Sequence, residues 1–149
     1  MAINSFFGEY RFLSNFWACD VYYEGLTYPS SEAAYQAAKT LDMNERRQFL
    51  NLTPGQAKRF GKKITLRDDW EEVKCDVMSE IVWNKFNGNS YLTNLLIATG
   101  DEELIEGNTW HDNTWGNCSC DRCKNIQGKN YLGKILMNTR KRLSLAIAD

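Results

Sequence analysis

Four alanines within one short stretch constrain this chain more than any other feature. Over residues 31–40, Ala33, Ala34, Ala37 and Ala38 are interleaved with Glu32, Tyr35, Gln36 and Lys39. On a helix these sets fall on different faces. One is flat enough for close packing, and the other is a stripe of hydrogen-bonding groups. Such a helix either turns its stripe to water or carries it into a site. A tyrosine in mid-stripe, and a lysine one helical repeat after Glu32, favour the site.

The remaining elements are read from turn chemistry and periodicity. Residues 19–23 and 26–28 flank Glu24-Gly25 and predict a hairpin. Pro29-Ser30-Ser31 then ends the strand and offers a helix cap. Short helices are expected over 44–50 and 54–60, the second opened by Thr53-Pro54 and stopped by Gly61. Trp70, Val73, Val77 and Ile81 repeat at three and four, so a long helix with a core-facing stripe is expected over 67–86. Another follows over 90–98. A short strand at 103–106 would deliver Glu106. The last helix, 130–146, would bury Leu132, Ile135, Leu136, Leu143 and Ala146. The expected fold is α+β, a helix-dominated single domain over residues 1–149 with one small β-sheet. No repeat or linker divides it.

Composition narrows the function. With 149 residues and 43% apolar content, one core can form. A net charge of −1 gives no global field for nucleic acid, so such contact would need a local patch. Lys58, Arg59, Lys62 and Lys63 form one, read here as a solvated helix face. Five tryptophans exceed what so small a core needs and hint at ligand stacking. No apolar run approaches a membrane span and no signal peptide opens the chain, so no membrane partner is expected. Five cysteines, an odd number, fit a reducing cytoplasm.

The chemistry concentrates in Glu106-Gly107-Asn108-Thr109-Trp110-His111-Asp112-Asn113-Thr114-Trp115-Gly116. Two carboxylates stand there among two indoles and the only histidine. Cleavage of an N-glycosidic bond passes through an oxocarbenium-like sugar. A carboxylate can stabilise that cation or activate water, and an acid can protonate the leaving base. Glu106 and Asp112 are the candidates, although Asp-Asn-Thr-Trp-Gly also suits a plain turn. No serine stands in a nucleophile elbow, which argues against a serine–histidine dyad.

Two further motifs need weighing. Residues 128–134 match the first seven positions of a phosphate-binding P-loop. Ile135 then stands where a serine or threonine must reach magnesium, which argues against an NTPase. Gly128 and Gly133 instead allow a sharp turn and close approach of the last helix. Its N-terminus, capped by Asn130, could face a ligand phosphate. Cys118-Ser119-Cys120-Asp121-Arg122-Cys123 is a metal-ligand cluster or a loop of free thiols. His111 or Cys75 could supply a fourth ligand for structural zinc; no other cofactor is required.

These elements, taken in order, resemble the NADAR/YbiA-like family. The carriers are Phe12-Leu13-Ser14-Asn15-Phe16, Tyr28-Pro29-Ser30-Ser31-Glu32, Tyr35-Gln36-Ala37-Ala38-Lys39 and Trp83-Asn84-Lys85-Phe86. Further on come Thr99-Gly100-Asp101, Leu104-Ile105-Glu106, Asp112, Trp115-Gly116, the stretch from Gly128 to Gly133, and Arg140. The resemblance implies a compact α+β domain with N-glycosidase chemistry. One family activity hydrolyses the phosphoribosyl-amine bond of riboflavin-pathway intermediates, and another removes ADP-ribose from guanine bases of nucleic acid. It also implies functional positions at Glu32, Lys39, Glu106, Asp112 and Trp115. Asn15, Tyr35, Trp83, Gly116 and Asn130, within the same motifs, are expected to help bind substrate. Lys39 would hold a phosphate or attack the opened ribose. The expected partner is a small nucleotide-like substrate, with ADP-ribosylated nucleic acid as an alternative. A module that grips ADP-ribose or NAD without cleaving it is a further alternative. Trp110-His111 before Asp112, and the cysteine cluster after Gly116, depart from the YbiA pattern.

Overall fold

The structure is a computed structural model and describes residues 2–148. In chain order it forms strand β1 (Ala2–Ile3), a 3-10 helix (Gly8–Leu13), strands β2 (Ala18–Tyr23) and β3 (Leu26–Ser30), and helix α1 (Ser31–Ala38). Helices α2 (Met43–Gln48), α3 (Pro54–Phe60), α4 (Trp70–Asn87) and α5 (Ser90–Ala98) follow. Strands β4 (Glu103–Leu104), β5 (Gly107–Asn108) and β6 (Asn117–Cys118) then lead to helix α6 (Tyr131–Ala148). The fold is α+β and helix-dominated, as expected. Its strands form separate two-stranded ladders rather than one sheet, with β1 on β4, β2 on β3 and β5 on β6. Outside the hairpin each strand is two residues long, too short to recruit a third. Two compact units result, Asn15–Asn89 and the pair of segments Met1–Ser14 and Ser90–Asp149.

Within Asn15–Asn89, the hairpin turns at Glu24-Gly25, where both residues have positive φ (44° and 93°). That is the backbone a two-residue primed turn requires. Tyr23 pairs with Leu26 and Val21 with Tyr28, and Val21, Tyr23 and Tyr28 are buried. Ser30 caps α1, its hydroxyl oxygen accepting the Ala33 N–H at 3.1 Å. Thr53 and Gln56 complete a capping box on α3. Helix α4 begins three residues later than its periodicity predicts. The Arg67 N–H donates to the Lys39 carbonyl (2.7 Å) and its guanidinium pairs with Asp69 (2.6 Å). Those residues therefore serve as a connector from the end of α1. From Trp70 the expected stripe holds: Trp70, Val77 and Ile81 are buried, with Val73 half-buried.

In the other unit, β1 lies parallel to β4, pairing Ala2 with Glu103 and Ile3 with Leu104. Helix α6 buries Leu132, Leu136, Thr139 and Leu143. Ile135 is only half-buried and Ala146 is exposed, so the apolar stripe is narrower than expected and ends before the last turn. Arg140 ties α6 down, donating to the Thr99 hydroxyl and the Glu102 carbonyl, both at 2.9 Å. At Gly133, α6 passes close against β4. A Cβ there would run into the Leu104 carbonyl oxygen and the Asn130 side chain. We therefore expect Gly133→Ala to lower stability by about 1–3 kcal/mol in urea unfolding, the usual cost of overpacking, despite alanine's better helix propensity.

Candidate functional site

The segment from Glu106 to Cys118 is a loop closed at its base. Strands β5 and β6 pair Gly107 with Asn117 and Asn108 with Cys118. The Asn117 N–H donates to the Glu106 carbonyl (2.9 Å) and the Ser119 N–H to the Asn108 carbonyl (2.8 Å). Inside, Asn108 acts as a scaffold. Its Oδ1 accepts the N–H groups of Trp110 and Asp112, and its Nδ2 donates to the Asp112 carbonyl at 2.8 Å. The Asp112 carboxylate divides its work. Oδ1 accepts the Thr114 N–H (3.1 Å) and the Trp115 N–H (2.9 Å), the Asx turn that a plain structural reading foresees. Oδ2 accepts no hydrogen bond from the described residues. Asp112 is thus fixed in orientation, half-buried, with one oxygen available.

Glu106 is held by its backbone. Its N–H donates to Asn130 Oδ1 (3.0 Å), and Asn130 Nδ2 donates to the Leu104 carbonyl (2.9 Å). The Asn130 side chain, on a residue with φ 51°, is therefore spent on positioning the chain around Glu106. Gly116 lies against the Glu106 carbonyl so closely that any Cβ would collide. Trp115 is half-buried and meets the Tyr131 ring edge-on, with centroids 6.2 Å apart and planes at 71°.

The start of α6 departs from expectation. The N–H groups of Lys129, Asn130, Tyr131 and Leu132 donate to the carbonyls of Asn113, Gly116, Thr114 and Trp115 at 2.8, 3.2, 3.1 and 3.0 Å. A helix N-terminus binds an anion through unsatisfied amides. Here those amides bolt down the Asp112 loop, so the phosphate contact expected of them is withdrawn.

In the unit Asn15–Asn89, every residue of α1 is buried, including the polar stripe that a solvated face would have left in water. Glu32 is 8% exposed. It accepts from Gln36 Nε2 at 2.9 Å, and its N–H donates to the Asn15 carbonyl at 3.0 Å. The Asn15 side chain itself reaches Met78 Sδ (3.6 Å). One repeat along, Lys39 Nζ stands 5.6 Å from the centroid of the Tyr35 ring, which tilts on Trp70 at 5.2 Å. Burial pushes the Lys39 ammonium below the usual lysine range. Glu32 opposes this shift, and Lys62, Lys58 and Lys74 reinforce it. A half-buried cation in a field of like charge gains from any anion that arrives. Trp83 is half-buried on α4, beside Asn84, whose Nδ2 donates to the Tyr22 carbonyl at 2.9 Å.

Sequence reasoning missed Lys85. It is 1% exposed, and burial lowers its pKa to about 8, with the Cys19 thiol working against the shift. Its ammonium lies 5.0 Å from the Phe86 ring centroid. Two signals were available: Lys85 follows Ile81 by four on the buried stripe, and it stands in the Trp83-Asn84-Lys85-Phe86 motif that carries the family resemblance.

The cysteine cluster converges. His111, Cys118, Cys120 and Cys123 bring their ligand atoms within 4.8 Å of one another, so His111 takes the fourth place. Cys75, the other option, stands half-buried on α4. The candidate residues thus fall into two groups. Glu106, Asp112, Trp115, Gly116, Asn130 and the cluster belong to one unit, and Asn15, Glu32, Tyr35, Lys39 and Trp83 to the other. A cavity of about 470 Å³ in the first unit is lined by Asn4, Phe7, Tyr10 and Glu102 among others, and by none of these candidates.

A helix-dominated α+β chain with a carboxylate-bearing loop closed by short strands is the class these observations define. Compared with known proteins, residues 5–144 match the NADAR domain, and the chain belongs to that family. It is 36% identical over 140 residues to N-glycosidase YbiA of Escherichia coli (strain K12), covering 92% of this chain and 84% of that protein. It is 37% identical over 138 residues to a riboflavin biosynthesis protein of Vibrio vulnificus, covering 91% of this chain but 36% of that longer one. The NMR structure of Escherichia coli YbiA superposes with a TM-score of 0.83 at 34% identity, covering 100% of this chain and 87% of that one. Among the described residues, no helix is long and apolar enough to cross a membrane.

Proposed function

We propose that this chain is an N-glycosidase that hydrolyses a ribosyl–base bond, with phosphoribosylamino-pyrimidines of the riboflavin-intermediate class as its substrates. The observation that carries the reading is Asp112, a carboxylate locked through Oδ1 with Oδ2 left available, one turn from a half-buried indole. The names of the relatives, N-glycosidase YbiA and a riboflavin biosynthesis protein, support the same chemistry. As the base departs, positive charge develops at the anomeric carbon. A preorganised carboxylate stabilises that charge without reorganising. Glu106 takes the proton of the attacking water or supplies one to the leaving nitrogen. Water adds at the anomeric carbon as the carbon–nitrogen bond breaks; one of its protons stays on the new anomeric hydroxyl, and the other, relayed through Glu106, ends on the released amine. Trp115 stacks on the planar base.

Lys39 supplies a phosphate contact, supported by its half-buried position in a field of lysines that Glu32 opposes. Lys39→Ala is expected to raise KM about tenfold or more with kcat little changed, as loss of a uniform binding interaction does. A fall in kcat with unchanged KM, read by steady-state kinetics, would instead assign the lysine to the bond-breaking step. Glu32, hydrogen-bonded to Gln36, keeps the stripe ordered and its negative charge near that ammonium.

Lys58, Arg59, Lys62 and Lys63 are all exposed, and two of them act on Lys39. This local basic field favours a second reading, removal of ADP-ribose from guanine in nucleic acid. A panel tests the choice, comparing a phosphoribosylamino-pyrimidine, its dephosphorylated form, NAD, ADP-ribose and ADP-ribosylated guanosine. Preference for the phosphorylated pyrimidine supports the first reading. Hydrolysis of the ADP-ribosylated guanosine alone replaces it with the second. Binding of ADP-ribose or NAD without cleavage of any compound would leave a recognition module.

A further inference from the structure

We propose that His111, Cys118, Cys120 and Cys123 hold a structural zinc ion that fixes the loop carrying Asp112 and Trp115. Tetrahedral zinc with sulfur at about 2.3 Å and nitrogen at about 2.0 Å places neighbouring ligand atoms about 3.5–3.8 Å apart. His111 Nδ1 lies 3.3 Å from Cys120 Sγ and 3.5 Å from Cys123 Sγ, and all four ligand atoms fall within 4.8 Å of one another. The three thiols are free of disulfides, and Cys118 and Cys123 are buried.

Independent features of the backbone agree. His111 adopts φ 70°, a conformation that costs a non-glycine residue free energy and persists only where the surroundings impose it. Its N–H donates to Cys118 Sγ at 3.3 Å, an outer contact of the type that orients and stabilises a metal thiolate. Residues 119–129 contain no helix or strand, and Cys123 is their one buried side chain. Such a segment has too little apolar burial to offset the entropy of ordering it. A metal bond supplies what the core does not.

The ligand set decides the metal and its role. Three thiolates and an imidazole favour zinc over the hard, oxygen-seeking cations. Four protein ligands close the tetrahedron and leave no place for a reactive water, so the ion is structural. Its position gives it consequence. His111 immediately precedes Asp112 and Cys118 ends β6, so one ion joins both ends of the loop between them. Its effect on turnover rests on the proposed hydrolase reading; the metal assignment does not.

The test is elemental analysis of the full chain, expressed in ordinary medium and purified under reducing conditions without chelator or added metal. One zinc per chain is expected in the wild type and in Cys19→Ser, which lies outside the cluster. Cys120→Ser and Cys123→Ser should lose it, while His111→Cys, which restores four soft ligands, should keep it. Cobalt added to chelator-treated protein should give the intense visible bands and thiolate charge transfer of a tetrahedral site. These readouts do not depend on hydrolysis, so failure of the substrate assignment leaves them intact. A wild-type protein that carries no zinc and takes up no tetrahedral cobalt overturns the proposal. Full zinc in both serine variants also overturns it.

Discussion

Asp112→Asn is expected to lower turnover by about a hundredfold or more, roughly 3 kcal/mol, within the range for removing one electrostatic stabiliser from a transition state. Asparagine is the decisive variant because its side-chain oxygen can still accept the Thr114 and Trp115 N–H groups that Asp112 Oδ1 now holds. The loop therefore stays in place and only the charge is lost. Asp112→Ala should be at least as slow and, having lost the turn as well, somewhat less stable, by about 1–2 kcal/mol. Because the charge acts mainly on the transition state, kcat should fall more than substrate affinity. An asparagine variant with near-normal kcat would show that Asp112 is a turn former and no more.

The second large effect is expected at Glu106. Its backbone N–H and carbonyl are both engaged, with Asn130 on one side and Asn117 on the other. Glu106→Gln leaves those bonds in place and removes only the capacity to exchange a proton. Loss of a positioned acid–base group typically costs about 10²–10⁴ in rate, and the glutamine variant should fall in that range with an unchanged unfolding midpoint. In Glu106→Ala, which leaves room for it, an exogenous small carboxylate such as formate should restore part of the rate if Glu106 serves as a base. A variant that loses stability but retains its rate would make Glu106 a structural residue.

Both expectations concern a loop that was legible in the sequence because its composition is unlike a packing motif. Clustering of carboxylates, indoles, glycines and a lone histidine over residues 106–116 pointed to the place, although only the structure shows how Asp112 divides its two oxygens. The hairpin turn, the Thr53-Pro54 start of α3 and the span of α5 were equally readable, since local residue chemistry decides each of them. What escaped prediction depends on distant partners. The pairing of β1 with β4 involves two residues per strand, too few for any alternation to register. Helix α4 starts late because Arg67 is held by the Lys39 carbonyl, 28 positions earlier in the chain. The amides of α6 are consumed by carbonyls of a loop that sequence spacing could not place beside them. Lys85 illustrates the same limit: periodicity assigned its face to the core, while residue type argued for water.

The central claim is that the purified chain breaks a ribosyl–base N-glycosidic bond. Chromatographic quantification of products from a phosphoribosylamino-pyrimidine tests it most directly, with wild type and Asp112→Asn assayed side by side. The expected result is release of ribose 5-phosphate and free aminopyrimidine in equal amounts over many turnovers, about a hundredfold slower in the variant. No release of free base by the wild type, from that compound or from ADP-ribosylated guanosine, at enzyme concentrations above the substrate, would contradict the account.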